Sequence, residues 1–327
     1  MDKSIRVALI YKKDYNFFNK SHFDQTTNDF FMKALQRNKK IEISYFPSEN
    51  ESDINKLNGK YKIILLANHR FDATPEVLKG VKQSTIPIIT KTGDPHHAKK
   101  YNQIELHEKF KIDAYWSFLP KEYFYKFYPN NFRYKEIIWG LEPCKYQNVR
   151  SYDDRIKNRI LNSGNVGRNN IKSKIAHLIS RDINSGLYFY KLRTMCNKLP
   201  YVDYAGMVNN QYINRNYAEY LSKYSAAIAT GTFYPVGKFF EIPAAGCTTF
   251  MEITEKNNAK YLGFRDNETA VFINEKNYKN KFEEYLNDQD NKKWNEIAKS
   301  GREYVMNELN NDKAVESLIQ LMEEFIK

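Results

Sequence analysis

Lys238 and Glu241 stand three residues apart in Gly237-Lys238-Phe239-Phe240-Glu241. On a helix that spacing projects both side chains from one face. A cation there suits a phosphate, and a carboxylate can accept two hydrogen bonds from a sugar diol, as an acidic residue does for ribose in dinucleotide folds. The pair therefore points to a nucleoside diphosphate. Ahead of it run the small apolar stretch Tyr224–Thr230 and the loop Gly231-Thr232-Phe233-Tyr234-Pro235-Val236. Gly246 then marks a helix stop, and Thr248–Met251 reads as a second short strand. A helix opening just past a strand's carboxyl end presents unpaired N–H groups and a positive dipole end, which suits an anion. Pro235 fits the first turn of such a helix, where a missing N–H costs nothing. The same letters also fit an ordinary strand–helix–strand crossover with a solvated lysine and glutamate.

Two further sets carry candidate chemistry. Gly93-Asp94-Pro95-His96-His97 follows the apolar run Ile86–Thr90, and Asp94, His96 and His97 can each carry a proton. A plain turn with Asp-Pro as a helix start is the other reading. Two adjacent histidines suggest a metal, but no third ligand has convincing spacing, so no metal site is expected. Gly164-Asn165-Val166-Gly167-Arg168 follows the strand Arg159–Ser163 and precedes a helix over Ile171–Ile179. That order fits a phosphate loop in which Arg168 meets a pyrophosphate bidentately, and equally a tight turn. His69, Arg70 and Asp72 end another strand. His22 and Asp24 follow the first, and His177 lies on the apolar side of its helix. Glu252, just after Met251, fits a sugar ligand or the start of a turn. No Walker loop, zinc pattern or Ser-His-Asp order is present.

The elements that must position these groups alternate. Ile5–Tyr11, Ile41–Phe46, Tyr61–Ala67, Ile86–Thr90, Ala114–Phe118 and Glu136–Trp139 read as strands of the near-continuous apolar kind found in parallel sheets. Helices fall between them, one through Phe30, Phe31 and Leu35, a short one over Asp53–Leu57, and one opened by Thr74-Pro75-Glu76. The polar, proline-bearing stretch 140–154 reads as a linker. A second alternation follows it and ends in two helices, about Asp290–Leu309 and Asp312–Ile326. The pattern predicts an α/β chain of two domains, 1–150 and 151–327.

Composition narrows the classes. A chain of 327 residues can bury a core without disulfides, and Cys144, Cys196 and Cys247 have no metal-ligand spacing. With no signal peptide or membrane-length apolar run, they predict a reduced, cytoplasmic protein. A net charge of +12 implies anionic company, whether nucleotides, nucleic acid or an anionic membrane surface. Scattered lysines argue against a nucleic-acid binder, which needs basic residues clustered on one face.

Residues Tyr212–Ile273 resemble the C-terminal domain of GT-B glycosyltransferases, and in particular the spore-maturation CgeB-like group. The likeness rests on Tyr217, Tyr220, Leu221, Ser222 and Lys223, on Gly231-Thr232, on Lys238-Phe239-Phe240-Glu241, and on Ala244-Ala245-Gly246-Cys247. Leu262-Gly263-Phe264 and Thr269–Ile273 are similar to the closing strand region, and Asp94-Pro95-His96 to an Asp-Pro-His of that group. The resemblance implies GT-B architecture: two Rossmann-like domains facing a cleft, with a C-terminal helix (about 312–326) crossing back to the first domain. It implies transfer from a UDP- or GDP-sugar to a hydroxyl acceptor on a glycan, lipid-linked glycan or protein, with no cofactor or metal. The donor-binding residues would be Gly164, Arg168, Gly231, Thr232, Val236, Gly237, Lys238 and Glu241. Asp94, His96 and His97 would serve the acceptor. Peripheral contact with an anionic membrane is compatible with lipid-linked acceptors. One departure leaves stereochemistry open: retaining members carry a second glutamate eight residues before the first, and here that position is Phe233. A two-lobed nucleotide- or sugar-binding protein without turnover is the alternative.

Overall fold

The computed structural model describes residues 4–13, 27–68, 73–167, 171–180, 185–206 and 217–326. The chain divides into two compact units, residues 1–140 with 311–327, and residues 141–310.

In the first unit the order is β1 (Ile5–Lys12), α1 (Thr27–Arg37), β2 (Ile41–Ser48), β3 (Glu51–Asp53), β4 (Ile63–Leu66), β5 (Val77–Lys79), β6 (Ile88–Lys91), α2 (Gln103–Phe110), β7 (Ile112–Ser117), α3 (Lys121–Phe124) and β8 (Tyr134–Glu136). Six of these strands form one parallel sheet in the order β2-β1-β4-β6-β7-β8. Alternate residues feed opposite faces, as the two-residue period of a strand requires. Val7 and Leu9 of β1, with Ile63 and Leu65 of β4, enter one core with Phe31 and Leu35 of α1. Ala8, Ile10, Ile64 and Leu66 enter the other with Ile54, Phe110 and Phe124. Both faces being covered, the strands read as continuous apolar runs.

The helix expected after Thr74-Pro75-Glu76 does not form. Val77–Lys79 is a short strand paired in parallel with β3. Only Leu78 of the three is buried, a period-2 pattern, and Gly80 at φ +78° ends the segment soon after it starts. The stretch 140–154 is packed rather than a free linker: Leu141 and Glu142 are buried just before a short 3₁₀ turn, Pro143–Tyr146, and Tyr146 is buried within it.

The second unit runs β9 (Ile156–Ser163), α4 (Ile171–Ser180), α5 (Gly186–Phe189), α6 (Lys191–Cys196), β10 (Val202–Ala205), α7 (Tyr217–Leu221), β11 (Tyr224–Ala229), α8 (Lys238–Ala244), β12 (Thr248–Glu252), β13 (Val271–Ile273), α9 (Tyr278–Asn287) and α10 (Lys292–Glu308). Its five-stranded parallel sheet has the order β10-β9-β11-β12-β13. The carboxyl ends of β9, β11 and β12 therefore lie side by side.

Two devices fix α8. Gly246, at φ +72°, closes its C-terminus, and the buried Arg155 donates to the Gly246 carbonyl at 2.6 Å. On its other side Arg302 of α10 donates to the Ala244 carbonyl. Gly301 lets α10 come close, since a Cβ there would stand 2.4 Å from the Thr269 carbonyl oxygen.

The last helix, α11 (Asn311–Ile326), belongs to the first unit. Val315, Leu318, Ile319 and Met322 pack into the core that holds α1. Arg37 donates to Asp312 at 2.7 Å, and Asn311 accepts the Gly140 N–H at 2.7 Å, where the chain leaves that unit. Among the described residues no helix is long and apolar enough to cross a membrane.

Candidate functional site

The second unit's site is built on three strand ends. Beyond β9 the backbone turns at Gly164 with φ +99°. A Cβ there would stand 2.7 Å from Lys238 Cε, so the lysine of α8 lies directly across this glycine. Lys238 Nζ donates to the Tyr217 hydroxyl at 3.1 Å, and that hydroxyl shares a 2.9 Å hydrogen bond with Ser163 Oγ. β9, α7 and α8 thus hold the lysine head in place.

Arg193, which the sequence reading missed, is the second cation. It lies on α6 and is only 4% exposed. Its guanidinium donates to the Asn165 carbonyl at 3.2 Å, and to both the carbonyl and the hydroxyl of Thr230. It therefore ties the turn after β9 to the end of β11. Burial pulls its pKa down, opposed by nearby tyrosines and by Glu252. Arg193 Nη1 and Lys238 Nζ each lie 3.2 Å from where a Gly164 Cβ would be. They are thus no more than twice that distance apart, and among the described residues neither forms a direct ion pair, although Glu241 and Glu252 lie close enough to be felt by Lys238 and Arg193 respectively. Two like charges ~6 Å apart repel by about 3 kcal/mol at an effective dielectric of 20. An anion above Gly164 would relieve that repulsion. The one signal in the sequence is an arginine within the otherwise compact run Leu192–Cys196.

Gly231 is held from both sides. Its N–H donates to Glu252 Oε2 at 3.0 Å, and its carbonyl accepts from Asn257 Nδ2 at 2.9 Å. A Cβ would stand 2.2 Å from the Tyr234 carbonyl oxygen, so only glycine fits. Glu252 is thus a buried clamp on the loop rather than a sugar ligand or a turn start. Burial raises its carboxyl to about 7, against the Gly231 N–H, which holds it down. Thr232 is buried in the same loop. Phe233 packs on Tyr188 and Phe189 at ring distances of 5.3 and 5.8 Å, with Lys256 Nζ 4.8 Å from its ring centre.

The helix start differs from the expectation. α8 begins at Lys238 with Gly237 as its cap, so Pro235 lies two residues before the cap instead of in the first turn. The amides of Phe239, Phe240 and Glu241 already bond to Val236 and Gly237 carbonyls. Those of Val236, Gly237 and Lys238 make no hydrogen bond to another described residue. Glu241 Oε2 would be 3.3 Å from a Cβ on Gly237, so the carboxylate rests against that glycine. Burial raises the Glu241 pKa and Lys238 lowers it. The structure therefore brings Gly164, Lys238, Gly237 and Glu241 into one chain of contacts. Arg168 lies outside the described residues.

In the first unit, Asp94, His96 and His97 follow β6. Asp94 precedes a 3₁₀ turn, Pro95–His97, without capping it through its side chain. The ring of His96 lies 4.2 Å from that of His97, and its Nδ1 shares a 3.0 Å hydrogen bond with the Tyr123 hydroxyl. Burial lowers the His96 pKa, opposed by Asp94. One potential ligand atom from each of the three residues falls within 4.8 Å of the others. The structure thus supplies the third group that spacing did not: the trio has the donors for proton transfer and for a divalent ion. Lys91, at the end of β6, is buried with its ammonium 4.1 Å from the Trp139 ring centre. His22, Asp24, His69, Arg70 and Asp72 lie outside the described residues, as does the side chain of His177.

Residues 185–320 match a family described as glycosyl transferase-like. No curated protein sequence matches the chain. Among solved structures, HepE of Anabaena, crystallised with UDP and glucose, aligns with a TM-score of 0.56 at 10% identity over 98% of this chain and 100% of its own. Sucrose-phosphate synthase of Thermosynechococcus elongatus aligns at 0.58 and 12% identity over 98% of each chain. An α-glucosyltransferase bound to UDP-glucose and DNA with an abasic site aligns at 0.56 and 9% identity over 98% and 100%. At such identities the likeness is one of fold: an α/β chain of two parallel-sheet units with a C-terminal helix, matching GT-B glycosyltransferase structures.

Proposed function

We propose that this protein is a glycosyltransferase that moves a sugar from a nucleoside-diphosphate sugar to a hydroxyl acceptor. The observation that carries the reading is the convergence of Lys238 and buried Arg193 over Gly164, with no direct ion pair to either among the described residues. The diphosphate sits above Gly164 and draws on both cations, with Arg168 as a third. Glu241 accepts the ribose hydroxyls. Gly231, Thr232, Val236 and Gly237 form the backbone wall beside it.

As the bond from the sugar's anomeric carbon to phosphate breaks, negative charge builds on the leaving diphosphate. Lys238 and Arg193 stabilise that charge and are fixed in place beforehand. These cations supply the role that a bound metal plays elsewhere, so turnover proceeds without one. If the reaction inverts configuration, the acceptor hydroxyl gives its proton to Asp94, His96 or His97; His96, held largely neutral by burial, is ready to accept it. If it retains configuration, no base is needed and the trio orients the acceptor. The closer likeness to the CgeB-like group, UDP or GDP as the nucleotide, and a glycan, lipid-linked glycan or protein as acceptor are parts of the same proposal.

The test is a thermal-shift screen against UDP, GDP, CMP, ADP and dTDP, repeated on Lys238→Met and Glu241→Ala. A ligand at about a hundred times its dissociation constant adds roughly 2.7 kcal/mol of stability. One nucleotide should shift the wild type, and both variants should lose the shift. Nucleotide release from the matching sugar donor then separates an enzyme from a binding protein. Absence of a shift with every nucleotide overturns the reading.

A further inference from the structure

The helix α4 carries its apolar face outward. Ile171, Ile175, Leu178 and Ile179 are 77%, 52%, 64% and 81% exposed. At 100° per residue these four positions fall within one stripe about 100° wide, the width that normally faces a core. Lys172, itself exposed, borders the stripe on one side, and Lys174 occupies the helical position bordering the other. Ile171–Ser180 contains no carboxylate, and the sequence adds Arg168 before it and Arg181 after it.

We infer that α4 is a membrane-surface anchor that lies in the headgroup layer of an anionic bilayer. Four aliphatic side chains on a helix ~15 Å long are a small patch. A standard protein–protein interface takes about 800 Å² from each partner, well beyond what such a stripe offers. A bilayer surface asks less: one apolar face to enter the acyl boundary and cations to meet the lipid phosphates. The charge agrees, because the helix holds cations and no anion while the chain carries +12 overall. The inference does not depend on the proposed sugar transfer.

Co-sedimentation with phosphatidylcholine vesicles, with and without phosphatidylserine, tests it. The wild type should bind the serine-containing vesicles and release as salt is raised. Ile175→Asp with Ile179→Asp should abolish binding, and each of Lys172→Gln and Lys174→Gln should weaken it roughly fivefold. Both positions of the double variant are exposed, so its thermal midpoint should match the wild type. Failure of the wild type to bind phosphatidylserine vesicles, or full binding by the folded double variant, overturns the inference. So does a dimer in sedimentation without lipid that the double variant breaks, since the face would then belong to a second copy.

Discussion

Lys238 Nζ and Arg193 Nη1 each lie 3.2 Å from the point where a side chain on Gly164 would begin. One comes from α8 after β11, the other from α6 after β9. The glycine is the floor on which the two cations meet, and its φ of +99° excludes most other residues.

Gly164→Ala should therefore fail twice. The added Cβ meets Lys238 Cε at 2.7 Å, and the backbone strain costs on the order of 1–3 kcal/mol. Chemical denaturation should show a lowered midpoint, and calorimetry should show loss of nucleotide binding.

Lys238→Met and Arg193→Met should separate binding from stability. Lys238 makes one hydrogen bond to Tyr217, so its loss should weaken diphosphate binding tenfold or more at small cost to the fold. Arg193→Met leaves the carbonyls of Asn165 and Thr230 without their donor, at a cost of about 1–3 kcal/mol. Isothermal calorimetry alongside urea unfolding reads both quantities.

Glu252 makes stability depend on pH with an inverted sign. Its folded pKa of about 7 lies above the 4.5 of a solvated glutamate, so between these the native state binds more protons than the unfolded chain. Stability then falls as pH rises from about 4.5 to 7. Glu252→Gln keeps an acceptor for the Gly231 N–H and removes the charge. It should match the wild type near pH 4 and exceed it above pH 7 by up to ~3 kcal/mol, at about 1.4 kcal/mol per pKa unit. Equal unfolding midpoints at both pH values would sink this account.

His97→Ala and His96→Ala should lower turnover with little change in nucleotide binding, because both lie in the first unit. If a histidine is the base, the rate should fall on acidification through a pKa below the usual 6.5, since burial depresses His96. A chelator should leave the rate unchanged. Inhibition relieved by added divalent ion would instead make the trio a metal site.

Leu318→Ala should destabilise the first unit by about 2–5 kcal/mol, as Leu318 of α11 is fully buried in the core with α1. Urea unfolding measures it.

The sequence by itself marked most strands of the two larger sheets, because sheets covered on both faces leave continuous apolar runs that need no partner to be seen. It also marked Lys238, Glu241 and Asp94-Pro95-His96-His97, whose relations are local in the chain. Tertiary structure decided what closes over long separations. Arg193 reaches Asn165 and Thr230 across 28 and 37 residues, and Glu252 reaches Gly231 across 21. No local pattern encodes those contacts, so Arg193 drew no notice in the sequence, and Glu252 fitted a sugar ligand or the start of a turn. Val77–Lys79 became a strand for the same reason: β3, 24 or more residues earlier, offered a parallel edge, and Gly80 at positive φ ended the segment. The fold's periodicities are short-range and legible. The meeting of two cations over one glycine is a property of the packed sheet ends alone.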